Sequence, residues 1–184
     1  MCLKRRLFRP ERSKRIFPKN AGEGGLWVWK TPGEVPPETL ISRARMLGAR
    51  VVYLNAYPLG KEALDWLETV IVLAAVENLQ IELLYGAPGW IKESARPFLR
   101  AAIIDPLVRL ERQLKLGGIS QPLRLHLDVE PHIEGAMDDA RLAATLDLLA
   151  WLRGHFDMAR VSLDVPVWYS DLRLNGRPFS EALL

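Results

Sequence analysis

The sequence predicts an α/β fold in which about five parallel strands alternate with helices. Short segments rich in β-branched, aromatic and leucine residues recur along the chain, and segments of helical periodicity separate them. These strand-like segments begin about 25 to 42 residues apart, the length of a strand followed by a crossover helix. The chain has 184 residues, 49% of them hydrophobic, which is enough for one sizeable core.

Five segments have the composition of strands. The first, 26–29, is Leu-Trp-Val-Trp, and aromatic and β-branched side chains of this kind are enriched in strands. The predicted strands are 26–29, 50–56, 80–85, 123–130 and 160–165. Pro131 and Pro166 should end the last two, because proline has no N–H to donate to a ladder. Since a helical segment lies between consecutive strands, we expect parallel pairing with right-handed crossovers.

The first two helical segments have recognisable boundaries. The first begins near Pro36-Pro37-Glu38, where proline fits the first turn and a carboxylate is favourable at the positive end of the helix. It should end at Gly48, because glycine is favoured just after a helix. The second, 61–77, is apolar nearly all round after Leu67 and should be well buried.

The third helical region, 94–116, contains two prolines. Pro97 and Pro106 should break it, and Asp105 should act as the N-cap of a new segment that begins with Pro106.

The last predicted helix is 137–153, which Asp138 or Asp139 should cap. Beyond the fifth strand we expect a turn at Asn175-Gly176 and a helix that starts near Ser180.

The segment 123–131 has a strict alternation. Leucine or valine occupies every second position, and the positions between them hold Arg124, His126, Asp128 and Glu130. A period of two predicts a strand with one apolar and one polar face. Asp128 and Glu130 should lie together at its carboxyl end, about 6 to 7 Å apart along the strand. Two carboxylates this close are costly unless they hold a ligand, a metal ion or a proton.

Polar side chains on one face of the fourth and fifth strands favour a partial (β/α)8 TIM barrel over an open doubly wound sheet. Ser162 and Asp164 continue the polar face on the fifth strand. An open sheet covered on both faces would be almost continuously apolar, and no glycine-rich phosphate loop follows the first strand. Eight strand–helix units need about 250 residues. The expected domain, 24–184, is therefore the N-terminal five-eighths of a barrel from a truncated or split protein.

Residues 1–23 are expected to form a basic, disordered leader. Residues 1–20 contain eight Lys or Arg and one Glu, a net charge of +7, so the rest of the chain carries −4. A basic leader can contact nucleic acid, but a solvated tail is the preferred interpretation. The leader is too poor in apolar residues for a secretory signal, and no run reaches transmembrane length. We expect a cytoplasmic protein, or an extracytoplasmic one if the start is miscalled, with neither nucleic acid nor membrane as partner.

Aromatic and polar side chains cluster where the predicted strands end, which is where barrel enzymes bind their substrates. Flat rings stack on the C–H faces of a sugar while polar groups hold its hydroxyls, so a carbohydrate substrate is expected. The predicted substrate-binding residues are Trp29, Asn55, Tyr57, Trp90, His126, Asp164, Trp168 and Tyr169.

The segment Leu-Asp-Val-Glu-Pro at 127–131 resembles the end of the fourth barrel strand in TIM-barrel glycoside hydrolases. Many of these carry a catalytic Glu before Pro, or an Asp-x-Glu pair, at that place. The chitinase-type (family 18) pattern D-x-x-D-x-D-x-E falls on Leu123, His126, Asp128 and Glu130, so its last two positions match. Lysozymes of the family-25 type also use an Asp-x-Glu at a strand end. The first two strands look like those of uncharacterised bacterial glycosidase-like barrel proteins.

The resemblance implies that Glu130 is the general acid that protonates the leaving oxygen, and that Asp128 is its electrostatic partner or positions a substrate group. His126 and Asp164 would support these carboxylates, with Arg124 deeper in the barrel. No metal ion and no cofactor is expected. Glycoside hydrolysis usually needs a second carboxylate, here expected from a later strand. This chain alone should therefore be inactive unless the mechanism is substrate-assisted through Asp128 or a second chain supplies the missing strands.

Three alternatives stay open at this point. A metal-dependent hydrolase or lyase would use His126, Asp128, Glu130 and Asp164 as ligands for Mg²⁺ or Mn²⁺. A non-catalytic carbohydrate-binding barrel would keep the same residues without turnover. Asp128 and Glu130 could also belong to a buried ion-pair network with Arg124 and His126.

Overall fold

The computed structural model describes residues 24–30, 32–57, 60–119 and 122–183. The predictions for the leader, 1–23, lie outside these residues. Among the described residues, no helix has both the length and the apolar character needed to cross a membrane.

Five parallel strands form one sheet. They are β1 (Gly25–Val28), β2 (Val51–Asn55), β3 (Gln80–Tyr85), β4 (Arg124–Leu127) and β5 (Val161–Leu163). Their order in the sheet is the same as their order along the chain, and each neighbouring pair is parallel. The predicted α/β fold with five parallel strands is confirmed.

Helices connect the strands and follow the last one. The α-helices are α1 (Pro37–Met46), α2 (Lys61–Val76), α3 (Arg96–Leu99), α4 (Asp105–Leu116), α5 (Asp139–Arg153) and α6 (Phe179–Ala182). Short 3₁₀ turns lie at Pro88–Ile91, Glu93–Ala95, Pro131–Glu134, Met158–Arg160 and Val167–Asp171. A hairpin of β6 (Arg173–Leu174) and β7 (Arg177–Pro178) forms a separate small sheet.

One face of the main sheet, here called the helix face, carries the apolar core. Val28, Leu54, Leu83 and Leu125 form a row in register across four strands, and each is at most 4% exposed. Buried residues of the helices, such as Leu67, join the same cluster. Helix α1 packs on α2, and α2 on α4. The period of two in the strands thus buries one set of side chains under the helices.

The opposite face, here called the polar face, has a different composition. Its first row is Trp27, Tyr53, Glu82 and Arg124, and its second is Asn55, Leu84, His126 and Ser162. Charged and hydrogen-bonding groups from β3, β4 and β5 are therefore neighbours on this face.

The third helical region differs from its prediction. The chain stays helical from Arg96 to Leu116, because a π-helical segment (Arg100–Ile104) joins α3 to α4. The wider π turn accommodates Pro106, which has no N–H and would crowd the carbonyl four residues earlier. The predicted N-cap role of Asp105 is wrong: its carboxylate caps no N–H and lies 3.8 Å from Arg100.

Three strands, β2, β4 and β5, are shorter than predicted, whereas β3 has the predicted bounds. β4 ends at Leu127 rather than at residue 130, because its neighbour β3 ends at Tyr85. Asp128 and Glu130 therefore lie beyond the end of the strand and not within it. The N–H of Asp128 still donates to the Tyr85 carbonyl at 2.9 Å.

Several boundary predictions are confirmed. Gly48, just after α1, has φ +65°, a conformation that glycine adopts without strain. The Asp138 carboxylate caps α5 by accepting from the N–H of Arg141 at 2.9 Å. Asn175 and Gly176, with φ of +52° and +80°, form the turn between β6 and β7.

Candidate active site

A buried polar network crosses the three strands β3, β4 and β5 on the polar face. Glu82 is 6% exposed and His126 is 4% exposed. The Ser162 hydroxyl donates to Glu82 Oε2 at 2.7 Å and lies 2.6 Å from His126 Nδ1. His126 and Ser162 are register partners on β4 and β5, and Glu82, the register partner of Arg124, reaches them from the preceding row of the polar face. The network links the deeper part of the sheet to its carboxyl end.

Glu82 is the best-satisfied carboxylate of this network. Gln80 donates to its Oε1, and Arg124 Nε lies 3.6 Å from the same oxygen. Burial would raise the pKa of Glu82, but hydrogen bonds from His126 and Ser162 and the charges of His126 and Arg124 hold that pKa below its usual value. Glu82 is therefore an anion at neutral pH.

His126 lies between two carboxylates. Its Nδ1 is 3.4 Å from Glu82 Oε2, and its Nε2 is 3.3 Å from Asp164 Oδ2. Nε2 is buried and has no well-aligned hydrogen-bond acceptor among the described residues, so Asp164 holds it as an ion pair. Burial would lower the pKa of His126, but its contacts with Asp164 and Glu82 and the charges of both raise that pKa to about 9. His126 is an imidazolium at neutral pH.

Aromatic rings cover the imidazole. The Trp27 ring stacks on Tyr53 with centroids 4.6 Å apart and on Trp29 with centroids 5.8 Å apart. The rings of Trp27 and Tyr53 meet the His126 ring edge-on, at 5.1 and 4.6 Å. These contacts restrict the orientation of the imidazole and exclude water from part of the network.

Asp128 lies just beyond β4 at the carboxyl end of the sheet. A Cβ atom at Gly86 would overlap the Asp128 carbonyl oxygen, so the chain leaving β3 packs directly on Asp128. Partial burial raises the pKa of Asp128, and the charges of Asp164 and Glu130 raise it further against the opposing effect of His126 and His132. This carboxyl group therefore keeps its proton to a higher pH than an ordinary aspartate.

Glu130 lies at the outer edge of the same cluster. Its side chain is 45% exposed, and Oε1 is 3.9 Å from His132 Nε2. The His132 ring meets the edges of Trp168 at 5.2 Å and Tyr169 at 6.2 Å. Burial, together with the charge of Glu130, raises the pKa of Tyr169 to about 12. Glu130 is thus partly exposed to solvent, near the packed rings of His132, Trp168 and Tyr169.

The aromatic residues predicted to bind substrate fall into two groups. Trp29, Tyr57 and Trp168 are exposed at the carboxyl ends of strands or in the loops that follow. Tyr169 is buried in a small second core with Leu142 and Phe179.

Trp90 and Asn55 have other surroundings. Trp90 is partly buried, packs against the helix-face core and lines a small apolar cavity with Tyr85 and Leu99. Asn55 donates to the Trp29 carbonyl at 3.4 Å and accepts from the Tyr57 N–H at 3.2 Å. It therefore ties together the chain segments that leave β1 and β2.

Sequence reasoning missed Glu82. The residue is a single carboxylate inside the otherwise apolar and amide strand Gln80–Tyr85, and such a residue needs a partner when it is buried. The lone carboxylate indicates that a partner is needed. The local sequence does not identify that partner, because Ser162 is 80 residues further along the chain. Trp27 and Tyr53, which cover the site, were missed for the same reason.

Within the described part of the chain, no group of three or more His, Cys, Asp or Glu side chains is arranged to hold a metal ion. Comparison of the chain with protein-family models, with curated proteins and with solved structures found no match.

Proposed function

We propose that the sheet is part of a (β/α)8 barrel whose carboxyl end binds and cleaves a glycan, with Glu130 as general acid. The strand order supports the barrel, since it follows the chain without the reversal that a doubly wound sheet requires. Glu82, His126 and Ser162 on one face also support it, because a sheet face covered by helices would be apolar there.

The main support for this function is that Asp128, Glu130 and Asp164 follow the ends of β4 and β5, close enough for the charges of Glu130 and Asp164 to raise the pKa of Asp128. The exposed Trp168 ring meets His132, which lies 3.9 Å from Glu130. Glycoside hydrolysis uses paired carboxylates, one of which gives a proton to the leaving oxygen. Flat rings beside such carboxylates suit the C–H faces of a sugar. Because Asp128 is partly buried and holds a proton more tightly than an ordinary aspartate, it is suited to donate a hydrogen bond to a substrate hydroxyl.

Glu130→Gln is the direct test. We expect kcat for a glycoside with a poor leaving group to fall by at least about 10²-fold, because the general acid is lost. Glycosides with a 2,4-dinitrophenyl leaving group, which needs no proton, should be hydrolysed nearly as fast as by the wild-type chain. The assay is release of reducing sugar or phenol, with circular dichroism as a check of folding.

Glu134→Gln is the matched control. Glu134 lies in the next turn, is exposed, and contacts Lys92 at 2.9 Å, an ion pair worth about 1 kcal/mol or less. Its activity should equal that of the wild-type chain. Equal activity of Glu130→Gln would remove Glu130 from the acid role. Sugar-dependent tryptophan fluorescence without product would instead favour the non-catalytic carbohydrate-binding alternative.

A second chain that completes the barrel is the partner we propose. All three residues of the edge strand β5 are partly exposed, whereas every residue but the first is buried in the inner strands β3 and β4. An edge strand offers unpaired backbone groups to another strand. The assay should therefore be run over a range of protein concentrations, because specific activity that rises with concentration would indicate this association. The cytoplasmic location and the absence of a nucleic-acid partner stay predictions.

A further inference from the structure

Asp128 and Asp164 are neighbours across two parallel strands. Leu127 pairs with Leu163 in the register of β4 and β5, so the next residue of each strand projects from the polar face. The N–H of Asp164 donates to the Leu127 carbonyl at 2.8 Å, which extends the same register. The backbones of Asp128 and Asp164 are therefore about 4.8 Å apart, the spacing of neighbouring strands.

The His126 ring holds the Asp164 carboxylate in position. The imidazolium Nε2 lies 3.3 Å from Asp164 Oδ2, and the ring cannot turn away because Nδ1 contacts Ser162 at 2.6 Å. Glu82 completes this support by accepting from Ser162. The Asp164 side chain is 46% exposed. One carboxylate oxygen is thus held by a buried cation while the group as a whole remains accessible to solvent.

We propose that Asp164 is the second carboxylate of the reaction, the base that accepts a proton from the attacking water, and that His126, Ser162 and Glu82 position it. This role rests on the proposed glycoside hydrolysis. It also removes the need for a carboxylate from a strand beyond β5.

The placement of the groups agrees with a base role. Glu130 follows β4 and Asp164 follows β5, so the two carboxyl groups come from neighbouring parallel strands at the same end of the sheet. A base that acts on water belongs to the inverting mechanism, in which the two carboxyl groups are far enough apart, about 6.5 to 9.5 Å, to leave room for a water molecule.

Asp164 and Glu130 together account for both proton transfers of the hydrolysis. The water oxygen bonds to the anomeric carbon while one of its protons passes to Asp164. The bond from that carbon to the leaving oxygen breaks, and the leaving oxygen takes its electron pair and a proton from Glu130. Glu130 ends ionised and Asp164 ends protonated, and exchange with solvent restores both. The product has the inverted anomeric configuration.

Asp164→Asn in the full chain tests the base, with sodium azide added as a substitute nucleophile. We expect kcat to fall by at least about 10²-fold for all leaving groups, including 2,4-dinitrophenyl, because the base acts on water and not on the leaving oxygen. Azide should restore turnover and give a glycosyl azide of inverted configuration. Asp171→Asn is the control, since Asp171 is exposed and, within the described part of the chain, its carboxylate accepts a hydrogen bond from the Ser170 hydroxyl at 3.5 Å.

A double-mutant comparison tests the positioning residues. If His126 acts through Asp164, His126→Gln should lower kcat in the wild-type background and have almost no further effect in Asp164→Asn. A residue that only supports the fold would lower kcat in both backgrounds, and that result would overturn the positioning role.

The outcomes separate the two proposals. Hydrolysis by the wild-type chain that survives Asp164→Asn, or that retains the anomeric configuration, would overturn the base role and leave the proposed function standing. A wild-type chain that cleaves no glycoside in a broad panel would overturn the proposed function and the base role with it.

Discussion

The two faces of the same sheet bury their residues in different ways. On the helix face, Leu54, Leu83 and Leu125 are almost completely buried and need only close packing. On the polar face, Glu82 and His126 are buried nearly as deeply, and each is paired with an opposite charge and with Ser162. Burial by itself therefore does not distinguish a hydrophobic core from a functional site. The helix face supplies stability, whereas the polar face holds charges in fixed positions.

The largest expected effect concerns the helix face. Leu83→Ala should lower the free energy of unfolding by about 2 to 5 kcal/mol, because it removes fully buried methyl groups and leaves a cavity. Leu116→Ala is the control, since Leu116 is highly exposed and should change the free energy by about 0.5 kcal/mol or less. Urea denaturation measures both. Equal effects of the two variants would mean that the helix face is not the main core.

The next effect concerns charge on the polar face. Because the pKa of His126 is raised from 6.5 to about 9, its stabilisation is fully present below pH 6.5 and is lost as pH rises through about 9. At about 1.4 kcal/mol per pKa unit, the loss should be about 3 kcal/mol. Denaturation curves collected between pH 6 and pH 10 measure it.

Glu82→Gln should make this pH dependence shallower, because one of the two carboxylates that raise the pKa of His126 is gone. Glu62→Gln, an exposed substitution on α2, should leave the dependence unchanged. A wild-type chain whose stability is flat from pH 6 to pH 10 would contradict the charged state of His126.

The smallest changes in stability should follow the loss of one hydroxyl group on each face of the sheet. The Tyr85 hydroxyl is buried on the helix face with no hydrogen-bond partner among the described residues, so Tyr85→Phe should be neutral or stabilising by about 1 kcal/mol. Ser162→Ala removes the hydroxyl between Glu82 and His126, and should destabilise by about 1 to 3 kcal/mol because it leaves buried charged groups less satisfied. Thermal denaturation of both variants measures the contrast, and a reversed order would contradict it.

Local patterns account for the predictions that are confirmed. The alternation at 123–130 and the repeated strand–helix units depend on neighbouring residues, so the sequence alone predicts the five parallel strands. The same local rules failed at Pro106, because the π turn that accommodates it depends on how the whole helix packs. They also do not show that Trp90, a predicted substrate-binding residue, packs against the core of the helix face.

Residue patterns alone predict the α/β class, the parallel pairing of the strands, and the position of Asp128 and Glu130 near a strand end. The strand order and the groups that surround these carboxylates are known from the tertiary structure. The pairing of β3, β4 and β5 brings together Glu82, His126 and Ser162. Asp164, which follows β5, contacts His126 on β4. Periodicity is a property of adjacent residues, whereas the charge state of a carboxylate depends on distant groups that only packing brings within a few ångströms.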